Sequence, residues 1–205
     1  MATPPIQVPC LDLGAPYLRH KAEFDCALQK VLDSSSYIGG TTVTSFEQAF
    51  ARWLGTDGTL VGCGNGTDAL TLAYSALGLP QGAKAILPAM TFVATAEAVL
   101  HAGFDFDLVD IDPDTWLLSP NNVADSLSSD VKLIVPVHLY GHLAPMDRLR
   151  TLACAHGCFL VDDASQAHGA GWRGNPVGPW GARASCRFFP GMNTRGFGAG
   201  GGCFT

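Results

Sequence analysis

Charge is scarce in this 205-residue sequence, at 15% of residues against 47% hydrophobic. What charge there is lies dispersed: no cluster of lysine and arginine forms, and the formal net charge is −6. That excludes the electrostatic footprint of a nucleic-acid-binding protein or of one that rides on an anionic membrane surface. Long apolar runs are also missing, and none nears the roughly 20 residues that span a bilayer. The opening MATPPIQVPC has no charged segment followed by an apolar one. No secretory signal is read there, and a cytoplasmic setting is expected. The seven cysteines, at 10, 26, 63, 154, 158, 186 and 203, are odd in number and irregular in spacing. They make a poor disulfide framework. Cys154 and Cys158 flank His156, yet no second Cys/His pair follows to complete the usual four zinc ligands. No metal site is expected; Cys154 is expected to pack on a helix and Cys158 to open a buried strand. Repeats, low-complexity segments and long linkers are absent too. A single globular domain over residues 1–205 with a sizeable core is the expectation.

Hydrophobic periodicity sets out the elements. Phe24, Leu28, Val31 and Leu32 share one helical face. Thr44-Ser45-Phe46-Glu47 fits a capping box, Phe46, Phe50, Trp53 and Leu54 continue as an apolar stripe, and Gly55 supplies a stop. Strands and helices then alternate. Strands are expected at Thr59–Gly62, Ala85–Leu87, Phe106–Val109, Leu133–Val137 and Cys158–Val161. Helices are expected at Thr67–Leu77, Ala94–His101, Val123–Leu127 and Met146–Ala155. Repeated strand-helix-strand units predict an α/β fold: a mostly parallel sheet with helices on both faces, three layers in all.

Ligands of open α/β sheets bind beyond the carboxyl ends of the strands, and unusual residues collect there. Gly62-Cys63-Gly64-Asn65-Gly66-Thr67-Asp68 runs from a strand into a helix. Glycines allow close approach of an anion, and a helix N-terminus offers free N–H groups and a positive dipole end. The same residues also suit a tight connection, or half of a dinucleotide site, although the spacing is not G-x-G-x-x-G. Phe92, after the next strand, suits either stacking on a planar ring or the core. His138 reads as a structural histidine. Asp162 and Asp163 close an apolar strand, where carboxylates are costly to bury without a cationic partner. A protonated pyridine nitrogen would be such a partner; the other reading of Asp163 is a helix cap.

Taken together and in order, these motifs resemble the DegT/DnrJ/EryC1/StrS family, the sugar aminotransferases that depend on pyridoxal 5'-phosphate (PLP). The resemblance covers nearly the whole chain. It is carried by Pro9-Cys10-Leu11-Asp12-Leu13, Ser45-Phe46-Glu47-Gln48-Ala49-Phe50 and Asn65-Gly66-Thr67-Asp68-Ala69-Leu70. It continues through Thr91-Phe92-Val93-Ala94-Thr95, residues 109–115, residues 136–141 and residues 163–170. The last piece is Phe188-Phe189-Pro190-Gly191-Met192-Asn193 with its glycine run. The resemblance implies the large domain of a type I PLP enzyme. In it Gly66 and Thr67 hold the cofactor phosphate, Phe92 covers one ring face, Asp163 pairs with the pyridine nitrogen, and Gln166 lies near the ring hydroxyl. It implies amino transfer from an amino acid such as glutamate to a nucleotide-linked keto sugar, in a dimer.

Three positions depart from the family pattern. Met192 stands where the family has the lysine that forms the Schiff base and shuttles protons; a thioether does neither. Arg187 stands where a serine usually donates to the phosphate; its planar fork is suited to phosphate, and the other reading is a clash in a site shaped for serine. Ala199 stands where an acid is usual. Lysine occurs only at 21, 30, 84 and 132, so no nearby amine replaces the missing one. The expectation is a homologue without catalysis that binds PLP or its amine form weakly and non-covalently. The chain is also expected to stop short of a smaller C-terminal domain, leaving apolar surface or a sheet edge open. A non-catalytic partner of a full-length aminotransferase, in a homodimer or a mixed dimer, and a decaying gene product are the alternatives.

Overall fold

The structure is a computed structural model that describes residues 8–55, 58–178, 180–192, 194 and 196–204. It divides into two compact units, Met1–Thr44 and Ser45–Thr205. The first holds α1 (Gly14–Arg19) and α2 (Lys21–Ser34). Helix α2 carries the expected stripe, but neither helix buries a residue, and Leu28 and Leu32 remain 55% exposed.

Helix α3 (Gly40–Trp53) leads into the second unit. Its start corrects the capping-box expectation: Thr44 lies inside the helix, and its hydroxyl donates to the Gly40 carbonyl at 3.3 Å. Gly55, at φ +68°, ends the helix in the left-handed region as anticipated. The order then runs β1 (Leu60–Cys63), α4 (Gly66–Ser75), β2 (Lys84–Pro88), α5 (Ala94–His101), β3 (Asp105–Val109), α6 (Pro120–Ser126), β4 (Val131–Ile134), α7 (Met146–His156) and β5 (Phe159–Asp163). A small hairpin, β6 (Gly171–Trp172) and β7 (Asn175–Pro176), precedes β8 (Arg183–Phe188) and β9 (Gly200–Phe204).

Seven strands form one sheet in the order β1-β9-β8-β5-β4-β2-β3. The pairs β2·β3, β2·β4, β4·β5 and β5·β8 are parallel, whereas β9 runs antiparallel to both its neighbours. Alternation along the strands loads both faces, as a covered sheet requires. Ala85, Leu87, Leu133, Val135, Val161 and Cys203 meet Leu70, Ala73 and Tyr74 of α4 and Ala98 and Val99 of α5. Ile86, Ile134 and Leu160 face the other way, toward Val123 of α6 and Met146 and Leu149 of α7. A third cluster joins Phe50 and Leu54 to Ala184, Cys186 and Phe204.

The hairpin and the last two strands of the sheet are what the sequence pattern concealed. Strand β9 reads Gly-Gly-Gly-Cys-Phe, and glycine is depleted in strands. Its glycines answer a packing demand instead. A Cβ on Gly201 would collide with the Asn65 carbonyl and the Cys63 sulfur, and one on Gly202 with the Leu60 side chain. Only bare backbone fits beside β1 and the start of α4. Cys154 also differs from expectation: it is exposed on α7. Among the described residues no group of three or more His, Cys, Asp or Glu is placed to hold a metal, and no helix is long and apolar enough to cross a membrane.

His168 lies in the third cluster, stacked on Phe188 (centroids 5.5 Å apart) and edge-on to Phe50. Neither ring nitrogen finds a partner among the described residues, and burial lowers its pKa from 6.5 to about 4. The unfolded chain therefore takes up a proton near pH 6.5 that the folded chain refuses until about pH 4. Stability from this residue is complete above that window and is lost as pH falls through it, by about 3 kcal/mol. Urea midpoints measured across the window should decline in the native chain and flatten in His168→Phe; equal slopes would refute the assignment. Gly201→Ala should destabilise by about 1–3 kcal/mol, as overpacking does. Gly198→Ala, where nothing lies within 4 Å of the added atom, should change little in the same denaturation series.

Candidate functional site

At the carboxyl edge of the parallel strands, a cleft of about 100 Å³ is lined by Gly66, Thr67, Leu70, Thr91, Phe92, Ala94, Thr95, Val137, Asp163, Ser165, Gln166, Arg187 and Met192. All seven positions singled out in the sequence (66, 67, 92, 163, 166, 187 and 192) thus line one cavity, although they are spread over 127 positions of chain, from 66 to 192. Asn193 lies outside the described residues.

One wall is the start of α4. Asn65 caps it, accepting from the Asp68 N–H at 2.9 Å, while its amide donates to the Asp68 carboxylate at 2.8 Å. The Ala69 N–H reaches the Asn65 carbonyl. The N–H groups of Gly66 and Thr67, the first two of the helix, have no acceptor among the described residues and are the natural anion donors. Gly66 is needed for contact as well: a Cβ there would come within 3.0 Å of the Arg187 stem. Arg187, on β8, runs across this helix start. Its guanidinium lies 5.7 Å from the centre of the Phe92 ring and 4.8 Å from that of Phe189, within cation–π range. Phe92 is 56% exposed, an aromatic face left open to a planar ligand. The positive helix end and the arginine together put cationic potential at this end of the cleft.

The floor is Asp163, the last residue of β5 and 5% exposed. Its Oδ2 accepts from the Thr95 hydroxyl at 2.8 Å and its Oδ1 from the Ser165 N–H at 3.2 Å. The helix-cap reading is overturned, since turns and not a helix follow residue 163. Asp162, next to it on β5, takes a separate environment. It is buried beside His138, with Oδ2 at 3.7 Å from the imidazole Nε2. The Ala144 N–H donates to His138 Nδ1 at 3.2 Å, so in the neutral ring the proton sits on Nε2, facing Asp162. Burial pushes the Asp162 carboxyl up, the neighbouring His138 imidazole pulls it down, and Asp163 beside it adds to the rise.

Gln166 is clamped by its oxygen, which accepts from the Tyr140 N–H at 2.7 Å. A ligand oxygen that accepts would take its hydrogen bond from the amide nitrogen. Met192 ends a turn closed by its N–H to the Phe189 carbonyl at 3.0 Å, with Pro190 at the second position, where its fixed φ is preset. The turn brings a thioether to the cavity wall. The nearby thiols are no substitute nucleophiles: burial raises Cys63 and holds Cys203 up at about 11 and Cys186 higher still. Sequence reasoning missed Thr95 and Ser165 as partners of Asp163. The one available signal was the spacing of Thr91 and Thr95, which puts two hydroxyls one helical turn apart.

Comparison with known proteins places this geometry. The chain is 42% identical over 199 residues to the dTDP-3-amino-3,4,6-trideoxy-alpha-D-glucose transaminase of Streptomyces venezuelae, which covers 97% of this chain and 52% of the relative. It is 40% identical to the erythromycin biosynthesis sensory transduction protein EryC1 of Saccharopolyspora erythraea, over 98% of this chain and 54% of the relative. The crystal structure of S. venezuelae DesV in complex with a ketimine intermediate superposes with a TM-score of 0.93, over 97% of this chain and 53% of that one. NtdA of Bacillus subtilis with bound cofactor PMP superposes at 0.87 with 29% identity, over 97% and 45%. The chain spans about half the length of the curated relatives it matches. The sheet is that of the fold type I PLP aminotransferases, and the family's sequence pattern matches residues 19–205. The chain belongs to the DegT/DnrJ/EryC1/StrS aminotransferase family.

Proposed function

We propose that this chain is the large domain of a nucleotide-sugar aminotransferase homologue that keeps the cofactor niche and has lost its covalent anchor. It holds PLP or pyridoxamine phosphate without a bond to the protein and does not itself complete amino transfer. The observation that carries this reading is Met192 on the wall of the same cleft as Asp163, Gly66 and Thr67.

The residues present fit the cofactor. The unpaired N–H groups of Gly66 and Thr67 would receive the phosphate, with Arg187 supplying a cation in place of a hydroxyl. Asp163 would hold the protonated ring nitrogen, Phe92 would cover a ring face, and the Gln166 amide nitrogen would donate to the ring hydroxyl. When bound, PLP supplies an electron sink for charge developing at the carbon beside the transferred nitrogen. Met192 supplies neither the amine that tethers the cofactor nor a base that moves a proton at that carbon. The outer ligand expected from the family is a nucleotide-linked keto sugar, with an amino acid such as glutamate as donor. Borohydride treatment after incubation with PLP should leave residue 192 unmodified in the native chain and label it in Met192→Lys, read by peptide mapping. An unlabelled Met192→Lys would overturn the reading.

The open stripe on α2 favours a second reading, in which the chain is a non-catalytic partner of a full-length aminotransferase. Exposed Leu28 and Leu32 would then dock on that protein in a mixed dimer. Co-expression with such a paralogue should yield a stable complex that Leu28→Glu with Leu32→Glu abolishes; a complex indifferent to both changes would refute this docking face.

A further inference from the structure

The geometry points to Thr95, backed by Thr91, as a positioning residue that orients Asp163 toward the ring nitrogen of a pyridine ligand. This deepens the reading above and rests on it. Thr95 sits in the first turn of α5, is fully buried, and donates its hydroxyl to Asp163 Oδ2 at 2.8 Å. The Thr91 hydroxyl lies 2.8 Å from the Thr95 oxygen. A hydroxyl has one proton to give. With Asp163 ionised, the Thr95 proton is committed to the carboxylate, so the bond between the threonines must run from Thr91 to Thr95. The direction of the chain is thereby set: Thr91 to Thr95 to Asp163.

Such a one-way relay does two things. Each donated bond polarises the next, which strengthens the grip of Thr95 on the carboxylate. It also restrains the rotation of a carboxylate whose other oxygen, Oδ1, accepts from the Ser165 N–H. A carboxylate that accepts on both oxygens and lines a cleft is placed to take one more donor from the ligand side. A protonated pyridine nitrogen is a donor of that kind, and a ring carrying C–H at the same place is not. Thr95 therefore acts on which ring the cleft prefers, through Asp163, without touching the ligand's phosphate contacts at Gly66, Thr67 and Arg187.

The test is equilibrium binding of pyridoxamine phosphate and of an analogue with C–H in place of the ring nitrogen, by calorimetry on the 205-residue chain. The native chain should prefer the nitrogen ring by about tenfold, the worth of one hydrogen bond to a charged group. Thr95→Val should erase most of that preference and Thr95→Ser should keep it. Thr91→Val should give an intermediate loss, and in an Asp163→Asn background Thr95→Val should add nothing. An unchanged preference in a folded Thr95→Val, equal loss in Thr95→Ser, or additive losses with Asp163→Asn would each overturn the positioning role alone. Absence of binding of either compound to the native chain would instead bring down the cofactor-niche reading and this inference with it.

Discussion

A carboxylate buried at the end of a central strand constrains the rest of this molecule. Asp163 is 5% exposed, and an ionised group there demands donors. Two neighbours supply them, a threonine from the first turn of α5 and the backbone two residues on. Those donors exist only because β2 and β5 are held in one parallel sheet, with β4 between them. Strand β8, on the other side of β5, carries Arg187 to the far wall of the same cleft. The cleft is a consequence of where the strands end, and the charge on its floor gives it a preferred kind of occupant.

The two ends of the cleft are polarised in opposite senses. At one end the start of α4 and the Arg187 guanidinium concentrate positive potential; at the other Asp163 is negative. A ligand that is anionic at one end and protonated at the other matches that field, which is the charge pattern of a pyridoxal-type molecule. Met192 is neutral, so the wall it forms adds no charge to either end of this field. On the reading proposed above, the substitution would remove reactivity and covalent retention while the groups that would recognise the ligand stay in place. On the same reading Arg187 would strengthen the phosphate end, since a guanidinium binds phosphate more strongly than the hydroxyl that the family pattern places there.

Much of the scaffold was legible from periodicity. Helix α5 begins and ends at Ala94 and His101, as read from the sequence, and α7 departs from expectation by one residue. The helix α3 start was misplaced because Thr44 and Glu47 imitate a cap, while the helix continues upstream to Gly40 through Thr41, Thr42 and Val43, residues of low helix propensity. Strand β9 was invisible for a different reason. Its glycines let Asn65, Cys63 and Leu60 approach, and such a cause involves residues more than a hundred positions away.

The sequence alone pointed to the alternation of strands and helices from β1 to β5, to seven of the positions that line the cleft and to a thioether, not an amine, at residue 192. Each of these rests on local pattern or on the chemistry of one side chain. Tertiary structure alone decided that Asp162 turns to His138 while Asp163 faces Thr95, that Arg187 lies over Phe92, and that the last strand runs against its neighbours. Those outcomes depend on which distant elements meet, and burial in a packed sheet assigns partners that no local spacing encodes.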